Sequence, residues 1–465
     1  MAAIQERTDV KSLARLELAS LLFLGFPWYF FLYGWVHPVA PVVFAACAAP
    51  YLWRRIPQDP ARALKQLFRP VSKVDLLLGL LALTIASLSG SGGHGLMTSD
   101  WSKHLAMLKD LTEHTWPVTY TFREINPVPS PWPVTYAFTE PGHAHTPLVY
   151  YFAYYLPAAA LGKITSLSVA ANALFVTTWL GLTLSLLWVH RLTAFYRVGA
   201  CCIFLLSGGL DSLGTLFVEG QVIGADTYYE AWSRFEAAMW SYQSNATMIV
   251  WTPQHALAGW IATAFLLSLA QRRDSAALAW LPVICTLTLL WSPFVTLGLA
   301  PLALVFLRGN PWPRFLSSAC LWLPLLVVGM LFLGASAGIH ERALIPIWTY
   351  PTIVHFLTFI FFEFGALCLL LLLVRRAWPQ HLTPFALVSS AFLVCLPVIK
   401  YGEYNDLSMR ASIPSLFTLW VFALNAWGTR LKSRAMPFHK SFLLSAYLIF
   451  SAVGPISGYL RGRPH

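Results

Sequence analysis

Apolar runs long enough for membrane helices follow one another along almost the whole chain. They fall near 17–36, 38–53, 74–90, 169–190, 198–216, 247–270, 276–290, 294–307, 315–335, 351–374, 384–398, 411–428 and 440–460. A helix needs roughly 17–25 residues to cross a hydrocarbon core. In lipid, each backbone N–H and C=O must find its partner inside the segment, which continuous apolar runs achieve only as helices. The expected fold is all-α: a polytopic transmembrane helical bundle of about 11–14 spans. Composition agrees, since 57% of the 465 residues are hydrophobic and 11% are charged, against about 25% charged in soluble domains.

The net charge of +11 does not call for nucleic acid, because Lys and Arg sit in short loops between apolar runs, where they set topology. All seven cysteines (Cys47, Cys201, Cys202, Cys285, Cys320, Cys368 and Cys395) lie in apolar segments, so neither a disulfide framework nor a zinc spacing is expected. The first apolar run, from Leu16, has no small-residue cleavage site and reads as a span rather than a signal peptide. No low-complexity tract or internal repeat stands out.

The loop 54–73 carries Arg54, Arg55, Arg62, Lys65, Arg69 and Lys73 against Asp59, and is assigned to the cytoplasm. A further apolar stretch, 148–161, decides the rest. If it crosses, the Arg191/Arg197 and Arg272/Arg273 loops fall outside. If it stays on the outer surface, they fall inside with Arg308/Arg314, Arg375/Arg376 and Arg430/Lys432/Arg434. The second assignment is expected. It makes 91–168 a long external loop with two amphipathic surface helices. The first, 102–115, presents Leu105, Met107, Leu108 and Leu111 on one face between Trp101 and Trp116; the second is the Tyr-rich 148–161.

Acidic residues then gather on the outer side. Ser99-Asp100-Trp101-Ser102-Lys103-His104 follows the 74–90 span directly. Also external are Glu140, His143 and His145; Asp211, Asp226, Glu230, Arg234 and Glu236; Gln254 and His255; His340, Glu341 and Arg342; and Lys400, Glu403, Asn405, Asp406 and Arg410. A plain anchor needs no acids at its membrane border. Each has a plainer reading. Asp100 suits a helix N-cap, Asp406/Arg410 a helical i,i+4 ion pair, and Gln254-His255 an interfacial polar pair. His143 and His145 suit a metal by residue type, but their spacing in a loop is weak support. Glu363 lies mid-span among three Phe residues, where an ionisable group marks a site or relay. Walker, Rossmann, Cys-x-x-Cys-His and His-Glu-x-x-His patterns are missing, which disfavours an ATP-driven pump or zinc protease.

The span 74–90, the acidic Thr98-Ser99-Asp100-Trp101 at its outer end, the long external loop and its surface helices resemble the GT-C superfamily of polytopic glycosyltransferases. The resemblance covers 74–430 in architecture. It departs from the family in an extra hairpin at 17–53 and in a single Asp100 where a tandem acidic pair is common. It implies a catalytic module at 74–430, flanked by an N-terminal segment at 1–73 and a C-terminal helix and tail at 431–465. It also implies inverting sugar transfer from a polyprenyl-phosphate donor to a lipid or glycan acceptor, with Asp100 as general base. Substrate-binding residues would then be drawn from Lys103, His104, Glu140, His143, His145, Gln254, His255, Arg342, Asp406 and Arg410, with Arg410 the first candidate for the lipid phosphate. No cofactor is expected, with a divalent metal left open. The expected location is a multi-pass protein of the plasma membrane (bacterial inner membrane), embedded among its lipids, with the active site facing outside. The alternative is a secondary transporter or flippase of a lipid-linked or anionic solute, for which Glu363 and the short 276–307 hairpin speak. A catalytically dead assembly subunit is a third reading.

Overall fold

The computed structural model describes residues 2–53, 71–120, 146–193, 197–220, 230, 232–233, 238–272, 277–308, 312–335, 342–375, 380–402, 404–433 and 438–460. They are overwhelmingly helical, with two short antiparallel strand pairs, Thr119–Tyr120 with Thr146–Pro147 and Arg342–Leu344 with Ile399–Tyr401. Five helices are long and apolar enough to cross a membrane: Arg15–Val36, Leu167–Leu192, Thr352–Leu373, Gln380–Val398 and Asp406–Gly428. Shorter apolar helices fill Ala40–Leu52, Pro293–Leu307, Ala319–Gly334 and Phe442–Ile456.

Local sequence sets many of these boundaries. Ser72 and Asp75 form a reciprocal capping box that starts Lys73–Leu88. Ser292 accepts from the Val295 amide and Pro293 takes the first helical position, so Trp291-Ser292-Pro293 is a turn that opens Pro293–Leu307.

Two helices are sheathed by others. Every residue from Pro253 to Ala270 is buried, and so is the apolar stretch of Asp406–Gly428 from Leu407 to Leu424. A helix apolar all round belongs at the centre of a bundle. These two pack on each other, and Leu167–Leu192 packs against the first of them, against Lys73–Leu88 and against Leu156–Ile164. The N-terminal helix joins the same core through Leu24, Trp28 and Phe31. Its ties are indole bonds, from Trp28 to the Leu287 carbonyl and from Trp291 to the Leu24 carbonyl.

Several expected elements differ. The 198–216 run is two helices, Arg197–Leu205 and Asp211–Glu219, broken at Ser207-Gly208-Gly209. The 247–270 run breaks at Thr252, because Pro253 has no N–H with which to continue Asn245–Trp251. The 148–161 segment is not one helix: 148–155 is turn and irregular chain buried at Phe152 to Tyr155, and only Leu156–Ile164 is helical. The first loop helix starts earlier than expected, at Ser99, and ends at Glu113. Its buried stripe runs through Trp101, His104, Leu108 and Leu111, with Leu105 and Met107 at its edges. Trp101 is therefore a core residue, not an interfacial anchor.

Candidate functional site

The starts of the Ser99–Glu113, Pro293–Leu307 and Asp406–Gly428 helices, together with the Thr252 break, surround a cavity of about 810 Å³. Ser99, Asp100 and Lys103 form one wall; Asp406, Met409 and Arg410 form another; Tyr150, Tyr151, Phe294, Tyr401 and Tyr404 add aromatic surface. Residues about three hundred positions apart in sequence thus meet at one opening. Helix N-termini carry positive partial charge that favours anions nearby.

The two charged pairs differ in setting. Lys103 lies 3.6 Å from Asp100, and both are solvent-accessible. Arg410 lies 2.8 Å from Asp406, with its side chain 10% exposed, and its Nη1 also donates to the Tyr151 hydroxyl at 3.4 Å. Exposed pairs contribute about 0–1 kcal/mol, whereas removing one partner of a buried pair costs about 3–5 kcal/mol. Asp406/Arg410 is thus both a helical i,i+4 pair and a held cation at the cavity wall. The Nε of Arg410 has no partner.

Asp100 is not the N-cap. That place belongs to Thr98, whose side chain makes no capping bond, and Asp100 sits in the first turn. The polar run 99–104 divides between two faces of the helix. Asp100 and Lys103 face the cavity, while Trp101 and His104 are buried. The Trp101 indole donates to the Val250 carbonyl at 2.9 Å and His104 Nε2 bonds the Trp251 carbonyl at 3.0 Å. These are end carbonyls of Asn245–Trp251, which the break leaves without helical partners. A carbonyl only accepts, so Nε2 carries the proton and Nδ1 accepts from the Tyr155 hydroxyl. Burial, the largest cause, lowers the His104 pKa to about 4, so the ring is neutral at neutral pH. His104, expected among the substrate-binding residues, has both nitrogens engaged and does not line the cavity.

Gln254 and His255 also lie behind the wall. Both are buried, and Gln254 Oε1 and both His255 nitrogens lack partners. The His255 ring sits 5.0 Å from that of Tyr151, which does line the cavity. Arg342 is exposed on its strand, its guanidinium 5.3 Å from the Tyr401 ring centre, one residue removed from the lining. Tyr151 was read only as part of the Tyr-rich 148–161 segment, and Tyr401 and Tyr404 were not singled out by sequence; only Lys400, Asn405 and Asp406 around them hinted at those two.

Asp211 and Glu230 do not join this cavity. They lie buried with Glu363, which hydrogen-bonds the Trp232 indole at 3.1 Å. Glu140, His143 and His145, with Asp226, Arg234, Glu236, His340, Glu341 and Glu403, lie outside the described residues. Among the described residues, no group of three or more His, Cys, Asp or Glu side chains is arranged to hold a metal ion. No family model, curated protein or solved structure matches this chain.

Proposed function

We propose that this chain is a multi-pass membrane glycosyltransferase of GT-C type, transferring a sugar from a polyprenyl-phosphate donor to a lipid or glycan acceptor outside the membrane. The observation that carries this reading is the shared cavity, with Asp100/Lys103 on one wall and Asp406/Arg410 on the other. Sugar transfer from a phosphate needs a carboxylate for the acceptor proton and a cation for the departing phosphate. Asp406 is occupied by Arg410, so Asp100, held only by an exposed Lys103, is the freer carboxylate. In the proposed step, Asp100 takes the acceptor hydroxyl proton as that oxygen bonds the anomeric carbon. The carbon–oxygen bond to phosphate breaks on the opposite face, inverting the centre. The phosphate leaves as an anion toward Arg410 and the helix N-termini. Tyr150, Tyr151, Phe294 and Tyr401 offer rings for the sugar and the first lipid units.

The test is transfer by the reconstituted protein from a panel of radiolabelled polyprenyl-phosphate sugars. Wild type should transfer from at least one and Asp100→Asn about 10²–10⁴-fold more slowly; full activity in the folded variant removes Asp100 as base. The topology follows from labelling of Ser102→Cys and Gln271→Cys, both at exposed positions. The first should react from outside and the second from the cytoplasm. Labelling of both from one side would undo the arrangement.

A secondary transporter is the second reading. It is favoured by the helix broken at Ser207-Gly208-Gly209, next to Asp211 and to the π-helical turn Phe361–Gly365 that carries Glu363. Solute uptake into proteoliposomes without sugar transfer would select it.

A further inference from the structure

Two helix irregularities interlock away from the cavity. The 197–219 region breaks after Leu205, and the helix carrying Glu363 widens into a π turn at Phe361–Gly365. The Leu210 amide donates to the Phe362 carbonyl at 2.9 Å, and Asn245 satisfies the other side of the break, its amide on the Ser207 carbonyl and its side chain on that of Phe204. Such turns inside helices often accompany function. Here they bring Asp211, the first residue of one helix, against Glu363 in the middle of another.

Both carboxyls are buried, Asp211 at 1% exposed and Glu363 at 3%. The two side chains lie close enough to interact directly. No well-formed hydrogen bond reaches either Asp211 oxygen or Glu363 Oε2, although the Trp232 indole and the Asp211 amide lie beside Asp211. Two buried carboxyls side by side and short of donors is the geometry that one bridging proton completes. Space around them is tight: a Cβ on Gly209 would lie 2.6 Å from Glu363 Oε2, and one on Gly454 3.1 Å from Asp211 Oδ2. Among the described residues, the titratable groups that interact with them are acids or weak acids: Glu230, Tyr242 and Tyr447. Among the described residues no Lys, Arg or His is paired with either carboxyl. The Tyr447 hydroxyl, itself buried and without a partner, interacts electrostatically with both. Glu230 is satisfied differently, by the Ser244 amide at 3.3 Å, the Ser244 hydroxyl at 2.5 Å and the Thr247 hydroxyl at 2.7 Å.

The geometry points to a proton-binding site in which Asp211 and Glu363 share a single proton that latches the broken helix to the π turn. Like charges in a buried site cannot both ionise, and with no base paired to them among the described residues the compensating charge is a proton. The proton comes from solvent and returns to it. Its loss sets two carboxylates against each other beside the Leu210–Phe362 bond, loosening the contact between the two helices. None of these residues lines the cavity, so the pair holds its proton whether the chain transfers sugar or moves a solute.

Infrared difference spectroscopy on the full-length protein in lipid nanodiscs tests this. Wild type should show a protonated-carboxyl carbonyl band at neutral pH that shifts in heavy water and is lost on strong alkalinisation. The band should vanish in both Asp211→Asn and Glu363→Gln. Glu363→Gln supplies an N–H facing Asp211 and should keep the fold if Asp211→Asn does not. No such band in wild type, or a band surviving in a folded variant, overturns the assignment. So does thermal stability that depends on sodium but not on potassium at constant ionic strength, which would make the occupant a metal cation.

Discussion

The bundle holds two groups of acids in opposite company. In the cavity, Asp100 and Asp406 each have a cation, Lys103 and Arg410, and the wall is open to a ligand. Around the broken helix, Asp211 and Glu363 have no cation among the described residues and are closed in by glycine backbone and tyrosine rings. Burying a charge without compensation costs several kcal/mol, so the two groups solve one problem in two ways. Where charges are balanced in place, the site can stay open and exchange ligands. Where they are not, something small must supply the missing charge. The helix breaks serve both: Thr252-Pro253 exposes carbonyls that Trp101 and His104 occupy, and Ser207-Gly208-Gly209 brings Asp211 to Glu363.

The sharpest way to break this comparison is Asp100→Asn. The amide keeps the side chain's shape and its place in the first turn but cannot take a proton. A general base is worth about 10²–10⁴ in rate, so transfer should fall by that factor while thermal stability stays near wild type. A loss of stability with activity intact would make Asp100 one more structural acid and erase the distinction between the groups.

His104 tests whether the Asp100 wall is anchored from behind. Its folded pKa is lowered to about 4 from 6.5, so the unfolded chain binds the proton more readily. Its stabilising effect is complete above the ordinary histidine range and is lost as pH falls through 6.5 toward 4. Between pH 7 and 5 this amounts to about 2 kcal/mol. Thermal unfolding of wild type should show that decline, and His104→Gln should flatten it. An unchanged slope in the variant would assign the pH dependence to other groups.

Much of this was legible in sequence, and the remainder was hidden for physical reasons. Asp100, Lys103, Asp406 and Arg410 stood out as charges bordering apolar runs, and the structure brings them to one cavity. His104 was grouped with them because it is polar and adjacent. A helix, however, turns about 100° per residue, which sends 100 and 103 one way and 101 and 104 the other. The Asp211–Glu363 contact joins residues 152 positions apart, so no local pattern reveals it; only the isolated mid-span Glu363 and the Gly208-Gly209 pair hinted at it. Breaks at 206–210 and 252 were missed because continuous hydrophobicity does not reveal where a buried helix stops. Pro253 was the visible sign.

Arg410→Lys asks whether the cavity cation acts by charge alone. Lysine keeps the positive charge near Asp406 but loses the planar guanidinium, whose Nη1 reaches both Asp406 and Tyr151 while its Nε has no partner. Losing one charge-assisted bond to a phosphate corresponds to about 1.5 kcal/mol, or about tenfold in donor affinity. Titration with the polyprenyl-phosphate donor should show that weakening with the fold intact. Equal affinity would reduce the pair to a helix-stabilising bridge.

Trp101→Phe should have the smallest effect and separates positioning from chemistry. Phenylalanine fills most of the buried volume but cannot donate to the Val250 carbonyl, leaving one helix-end acceptor unsatisfied. The expected stability loss is about 1 kcal/mol. Because this indole fixes the first turn bearing Asp100, transfer should fall by less than tenfold, through kcat more than KM, since a base displaced slightly from its proton slows chemistry without releasing the donor. The same stability loss with unaltered kcat would show that the bond braces the bundle without aiming Asp100. In that case the wall facing Arg410 is positioned without this bond, by His104 and the packed face of the helix.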